Sequence, residues 1–390
     1  MRENTKPLRV GVIGCGNISD TYFTNGPLLQ DIDYIACADL RPEAARSKAA
    51  AYGIKAMEVD ALLARDDLDV ILNLTIPAVH AETSLRILDA GKHVYTEKPL
   101  ALSLAEVDAM EAAAAARGLR IGTAPDTFLG PAQQQARALV DAGTIGEVVT
   151  GLATVLSHGM EDWHPSPDFF YRKGGGPVLD MGPYYIASLV NMLGPVTRVQ
   201  ASGRIGRRTR LVTADGPLKG QSIPVETFTT LNALLSFESG AEITFLASWD
   251  VANTDLRPIE LHGTKGTLRI CDPNDFGGII AQGDLVGGFT EIDTSTRAFG
   301  ANNRLWLGEF PFSCYRGLGL AEMARAISEG RAHRCDTEFG RHVLEVMLAI
   351  ETAAIEGRSL YINSRPKRPA AFTPEEAITF RAAQSVEVLP

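Results

Sequence analysis

Two charged residues stand side by side in V-Y-T-E-K-P-L, Val94 to Leu100, directly after a run that reads as a buried strand and with a proline locking the chain behind them. A buried charge is costly unless it is paired or has chemistry to do, so Glu97 and Lys98 need partners or a task. A second cluster stands near the start of the chain. V-G-V-I-G-C-G-N-I-S sets Gly14, Gly16 and Ser19 in the pattern G-x-G-x-x-S, with Asn17 and Ile18 opening a helical stretch. Glycines at the first two positions permit a tight turn and close approach of a pyrophosphate to the free N–H groups of the following helix. Serine at the third position departs from the usual Gly or Ala but is still small. Asp39 follows about 20 residues on, at the end of a second apolar run, where a carboxylate would accept hydrogen bonds from an adenosine ribose diol and repel a 2′-phosphate. This favours NAD. Arg41, two residues further, keeps NADP open. The competing reading is a solvated turn with Asp39 capping the helix before Pro42.

The elements that must carry these residues alternate in kind. Residues 8–13, 34–38, 70–74, the G-K-H-V-Y-T segment and 119–123 read as short buried strands; 41–52, 80–90 and 104–116 read as helices. Strands alternating with helices imply a parallel sheet covered on both faces. Ligands bind such a sheet beyond the carboxyl ends of its strands, and Gly14, Asp39, Thr75 and Glu97–Lys98 all fall there. After Pro131 the pattern changes. One helix (132–142) is followed by longer β-branched or alternating runs at 147–157, 196–205, 225–237, 241–249 and 259–270, with hairpin punctuation at E-S-G-A and G-T-K-G. Helical periodicity returns at 320–328 and 341–356. The expected architecture is α/β: a doubly wound parallel sheet over residues 1–123, an α+β domain with a large, mostly antiparallel open sheet over 124–363, and a Pro- and Arg-rich tail over 364–390 that wraps the surface. Helix 341–356 could pack back on the first domain.

The chain has 390 residues, 45% hydrophobic and 22% charged, with 37 Lys plus Arg against 47 Asp plus Glu and a net charge of −10. That balance argues against nucleic acid as a partner. Five scattered cysteines with no C-x-x-C pair suit a reducing cytoplasm and no disulfide framework. The N-terminus has no apolar signal core, and no apolar run is long enough to span a bilayer. H-G-M-E-D-W-H offers His158, Asp162 and His164, but the spacing fits no regular zinc motif, so no metal is expected.

E-K-P after G-K-H-V, preceded by T-x-P-x-x-H (Thr75, Pro77, His80), resembles the Gfo/Idh/MocA oxidoreductases. G-G-G-P-V-L-D-M-G-P-Y, H-G-T-K-G-T-L and L-E-V-M-L-A-I-E-T-A-A-I-E-G-R are similar to later segments of that family, so the likeness covers about residues 8–360. It implies a Rossmann domain, a second α/β domain, an active site between them, NAD(P)-linked oxidation or reduction of a sugar or polyol, and assembly as a homodimer or homotetramer. By the same resemblance Lys98 matches the catalytic lysine, Glu97 its neighbour near the nicotinamide, and Asp180 the second-domain aspartate. Tyr184 stands where inositol dehydrogenases carry histidine. Thr75, Pro77 and His80 would flank the cofactor. Asp126, Trp163, His164 and Arg172 are further candidates to face a carbohydrate. A lysine away from water beside a positive nicotinamide should have a lowered pKa, which suits base work; whether Lys98 or Tyr184 takes the proton stays open. Asp180 could also simply cap a helix beginning near Pro183. Two other functions fit the same residues: an NAD-dependent glycosidase that oxidises its sugar transiently, and a non-catalytic NAD-sensing regulator.

Overall fold

A computed structural model of the protein describes residues 6–382. The extreme N-terminus, M-R-E-N-T, and the last part of the tail, 383–390, lie outside the described residues, and with them the reading of the N-terminus as signal-free.

The first sheet has six strands, all parallel, in the order β3-β2-β1-β4-β5-β6. They are β1 (Leu8–Ile13), β2 (Ile32–Ala38), β3 (Lys55–Met57), β4 (Val70–Asn73), β5 (His93–Thr96) and β6 (Ile121–Thr123). Val10, Val12, Ile71 and Leu72 are fully buried, as expected of strands covered on both faces. The helices of this half are α1 (Asn17–Asn25), α2 (Pro42–Tyr52), α3 (Val59–Leu63), α4 (His80–Asp89) and α5 (Leu104–Arg117). Helix α5 shows how local chemistry sets a boundary. Ser103 accepts from the Glu106 backbone N–H while Glu106 reaches back to the Ser103 N–H, and Gly118 closes the far end at φ 65°. β3, short and half exposed, escapes the sequence reading because it carries no buried apolar run.

The second sheet has nine strands. From one edge they are Phe289–Asp293, Ile279–Asp284, Gly266–Ile270, Ile259–Gly263, Val148–Leu156, Glu242–Ser248, Thr230–Phe237, Val196–Arg204 and Leu360–Tyr361. Every pairing is antiparallel except that of Val148–Leu156 with Glu242–Ser248. Ile243, Phe245 and Ala247 point inward with no exposure while Thr244 faces out, the two-residue alternation of a half-buried strand. Helices α6 (Pro131–Asp141), α7 (Pro177–Leu193), α8 (Leu318–Ser328) and α9 (Thr337–Glu356) complete this half. α7 and α9 cover the inner face.

α7 corrects the sequence reading. It starts at Pro177, with Pro183 inside it, so Asp180 does not cap a later helix but lies in its first turn. A proline at the first helical position costs nothing because that N–H would be orphaned anyway, and almost every later side chain of α7 is buried, which stabilises the helix against the interior proline. α9 reaches the first half of the chain, where Arg341 pairs with Glu111 of α5 at 2.7 Å and with Asp108. The tail packs on both halves. Arg334, between α8 and α9, donates to the carbonyls of Ala370 (2.8 Å) and Ala371 (2.9 Å), and in the first half the Gln30 N–H donates to Phe380 O at 3.0 Å. No helix among the described residues is long and apolar enough to cross a membrane.

Candidate active site

The nucleotide end is built from backbone. Gly14 follows β1 at φ +102°, and a Cβ there would lie 2.5 Å from the Leu74 carbonyl oxygen, so only glycine fits between β1 and β4. Gly16 is different: a Cβ there would meet nothing within 4 Å. That open space lies in front of α1, whose N-terminus no side chain caps, and Asn17 is exposed while Ile18 is half-buried. Ser19 turns inward and donates to the Gly16 carbonyl at 2.6 Å, so its small size is used for packing. Asp39 accepts from the Cys15 N–H at 2.7 Å and the Arg41 N–H at 2.8 Å. The Arg41 guanidinium stands 3.6 Å from the same carboxylate and is 68% exposed. An uncapped helix start, open space before it and a carboxylate at the end of β2 fit a dinucleotide.

Thr75 donates to Asn73 Oδ1 at 2.7 Å, and Pro77 opens a short 3₁₀ turn, Pro77–Val79, leading into α4. His80 requires a correction. It is 1% exposed, with Nδ1 2.7 Å from Pro99 O and Nε2 2.9 Å from Thr75 O. The ring ties two loops of the sheet's ligand edge together instead of facing a ligand itself. Burial lowers its pKa against the pull of those carbonyls.

Glu97 and Lys98 have separate partners. Glu97 accepts from the Tyr22 hydroxyl at 2.7 Å and from the Lys98 N–H at 2.9 Å, which fixes the turn that carries the lysine. The Lys98–Pro99 bond is cis, a point the sequence leaves open. Lys98 Nζ donates to Asp180 Oδ1 at 2.8 Å and Asp180 O at 2.7 Å, and lies 5.2 Å from the centre of the Tyr184 ring. Burial pushes the lysine pKa down, but Asp180, Tyr184 and Glu97 together outweigh it and hold the group above its ordinary value. The expected lowering is the effect of a neighbouring nicotinamide; the side chains around Lys98 act in the opposite direction and favour the ammonium.

Tyr184 is 6% exposed, and its hydroxyl accepts from Arg316 Nη2 at 3.3 Å. Arg316 also donates to Cys314 Sγ at 2.8 Å and to Asn274. Sequence reasoning missed Arg316 and Asn274. Each lies in a loop without a motif, and only the fold brings them to Tyr184. Asp126 accounts for the position of Arg316. It is fully buried and accepts from the backbone N–H groups of Gly317 and Gly319, both at 2.9 Å. Burial, opposed by those hydrogen bonds and by Arg316, pushes its pKa up to about 6. Asp126 is therefore a support beneath the site and not a group facing substrate. Arg172 is 56% exposed and pairs with Asp168 at 3.2 Å.

Beyond Asp180 a cleft of about 810 Å³ runs along α7 and the second sheet. Trp163 lines it, with Asp272, Asn274 and Asp275. His164 sits behind Trp163, edge-on at 5.4 Å between ring centres, and its Nδ1 accepts from the Ser166 N–H at 3.1 Å. His158 pairs with Asp162 at 3.0 Å. Burial pushes Asp275 up to about 7, helped by neighbouring Asp272, while Arg316 pulls the other way.

Residues 8–124 match the family described as "Oxidoreductase family, NAD-binding Rossmann fold", and residues 133–269 match the GFO/IDH/MocA C-terminal domain. The dTDP-3,4-didehydro-2,6-dideoxy-alpha-D-glucose 3-reductase of Streptomyces violaceoruber is 31% identical over 275 residues, 69% of this chain and 74% of that protein. The chain belongs to the Gfo/Idh/MocA oxidoreductase family. Within it, the inositol 2-dehydrogenase of Rhizobium meliloti (strain 1021) is 26% identical over 71% of this chain and 79% of its own length. Among solved structures, an NAD binding oxidoreductase from Klebsiella pneumoniae superposes with a TM-score of 0.77 at 22% identity, covering 92% of this chain and 100% of that one. A levoglucosan dehydrogenase in complex with NADH and L-sorbose gives 0.76 at 20%, with the same coverage. These likenesses show the shared fold: an NAD-binding Rossmann domain joined to a large, mostly antiparallel sheet.

Proposed function

We propose that this oxidoreductase interconverts a hydroxyl and a carbonyl on a carbohydrate, with Lys98 handling the proton, Tyr184 as a second hydrogen-bonding group and Asp180 setting the charge of the lysine. The observation that carries the reading is the pairing of Lys98 Nζ with Asp180 at 2.8 Å, at the point where the ligand edge of the first sheet meets the cleft of the second. The relatives named above act on sugars or inositol by their names, which supports the substrate class and leaves the particular sugar open.

Asn17 and Ile18 at the start of α1, with Gly14, Gly16 and Asp39, would hold the dinucleotide, and the Asp39 carboxylate favours NAD over NADP through the ribose diol it can accept from. The dinucleotide, when bound, supplies the two-electron redox chemistry. The chain's own residues handle the rest. Lys98, charged as found, is matched to give a proton to a carbonyl oxygen as it becomes a hydroxyl. In the oxidative direction the hydroxyl proton must pass to the lysine, which has to be neutral first. Oxidation should therefore gain rate as pH rises, and reduction should lose rate once pH passes the raised pKa of Lys98. Tyr184, held by Arg316, offers a donor or acceptor to a neighbouring oxygen. Asp180 keeps the lysine aimed and charged.

The test is a screen of sugars, polyols and glycosides with NAD and with NADP, followed at the reduced-nicotinamide absorbance. Turnover that survives Lys98→Met, or a panel in which nothing is oxidised or reduced although NADH binds, would defeat the proposal.

A further inference from the structure

The cleft beside Asp180 is larger, more aromatic and more acidic than one sugar ring needs. Its volume, about 810 Å³, lies toward the upper end of the roughly 300–1,000 Å³ typical of small-ligand sites. The chain contains three tryptophans; Trp163 and Trp306 line this cleft, and Trp249 lies fully buried in the wall behind it. Trp163 and Trp306 meet edge to face, 5.0 Å between ring centres and 67° between planes. Trp306 rides on a two-stranded ribbon, Arg304–Trp306 with Phe310–Phe312, and is 46% exposed, with Phe310 60% exposed. The ribbon thus presents apolar rings to the cleft, the kind of exposed patch that marks a ligand-binding groove or an interface.

The charges point the same way. Asp162, Asp180, Asp272 and Asp275 line the cleft, and among the described residues no lysine or arginine does. The cations beside it are already engaged: Lys98 with Asp180 at 2.8 Å, Arg316 with Asn274 and the Tyr184 hydroxyl, Arg210 with Glu161 at 2.8 Å, and His158, when protonated, with Asp162 at 3.0 Å. A diphosphate needs arginine, lysine or a helix N-terminus; placed here it would meet carboxyl groups. Hydroxyls, by contrast, are good partners for carboxyls in either protonation state.

We propose that the cleft takes an uncharged glycoside whose reacting ring sits at Lys98 and Asp180 and whose second flat ring, a further sugar or an aryl aglycone, stacks on the Trp163–Trp306 shelf, and that it does not take a nucleotide-linked sugar. This rests on the dehydrogenase reading of Lys98.

Titration calorimetry of the NADH-loaded protein tests it. Probes are monosaccharides of the gluco, galacto and xylo series, their β- and α-linked disaccharides, their phenyl glycosides, and dTDP-glucose. In at least one series a two-ring compound binds about tenfold or more tighter than its monosaccharide, and dTDP-glucose binds no tighter than glucose. Disaccharide against phenyl glycoside tells which second ring is preferred. Trp306→Ala, a change on an exposed ribbon, removes the two-ring advantage and leaves monosaccharide affinity unchanged; Phe310→Ala gives a smaller loss of the same kind. The inference is overturned if dTDP-glucose is the tightest ligand, if no series shows the advantage, or if Trp306→Ala weakens every ligand equally. Two-ring binding with no turnover would uphold the cleft and sink the dehydrogenase reading. Turnover with no two-ring preference would do the reverse.

Discussion

At the nucleotide end, Gly14, Gly16 and Asp39 belong to one strand–helix–strand run, and what they offer is mostly backbone: an uncapped helix start, open space before it, and one carboxylate held by two N–H groups. At the substrate end, Lys98, Asp180, Tyr184, Asn274, Trp306 and Arg316 come from segments spread over more than half the chain, and what they offer is side chains paired with one another. The first construction tolerates sequence drift wherever backbone geometry is kept. The second depends on each partner. Losses at the substrate end should therefore appear in turnover and its pH dependence, and losses at the nucleotide end in cofactor affinity.

The sharpest test of that division is Lys98→Met, expected to reduce kcat about a thousandfold while the NADH affinity, read by nicotinamide fluorescence, stays within about threefold. If affinity fell as far as kcat, the two ends would not be separable. Next is Asp180→Asn. Removing the carboxylate leaves burial less opposed, so the Lys98 pKa falls from its raised position. Reduction should then lose rate at a lower pH, oxidation should gain rate at a lower pH, and kcat should fall about tenfold to a hundredfold; an unchanged pH profile would mean that Asp180 does not set the lysine's charge. Asp39→Ala should raise the KM for NAD about tenfold or more, the loss of charge-assisted hydrogen bonds, with kcat nearly unchanged. The smallest effect is one of stability. Asp126→Asn swaps a carboxylate that holds two buried N–H groups for a weaker acceptor and should cost about 1–3 kcal/mol in urea unfolding. A loss of kcat beyond what the fraction folded explains would show that the Arg316 loop also shifts.

The sequence is most legible where structure is local. Val10 and Val12, Ile71 and Leu72 announce a sheet buried on both faces, and the G-x-G turn with Asp39 announces its ligand edge. Ser103, Glu106 and Gly118 mark helix boundaries by hydrogen-bonding and φ preferences that need no distant partner. Legibility falls where the partner is remote. Asp126 reads as a pocket residue because it follows a strand, yet it is fully buried beneath the Gly317–Gly319 backbone. His80 reads as a cofactor residue but ties Thr75 to Pro99. α7 reads as starting too late because Pro183 suits a first helical position, when burial of the whole helix carries it through that proline from Pro177.

What the sequence determined by itself was the layered α/β fold, the edge of the sheet that meets a dinucleotide, and the side chains able to move a proton. These follow from strand period, glycine geometry and residue type, all of which act over a few residues. Only the tertiary structure decided that the groups around Lys98 raise its pKa, that Arg316 stands behind Tyr184, and that Trp163 and Trp306 share one acidic cleft. A pKa, a hydrogen bond and a binding surface each depend on which groups come within a few ångströms, and for these residues the neighbours lie far along the chain.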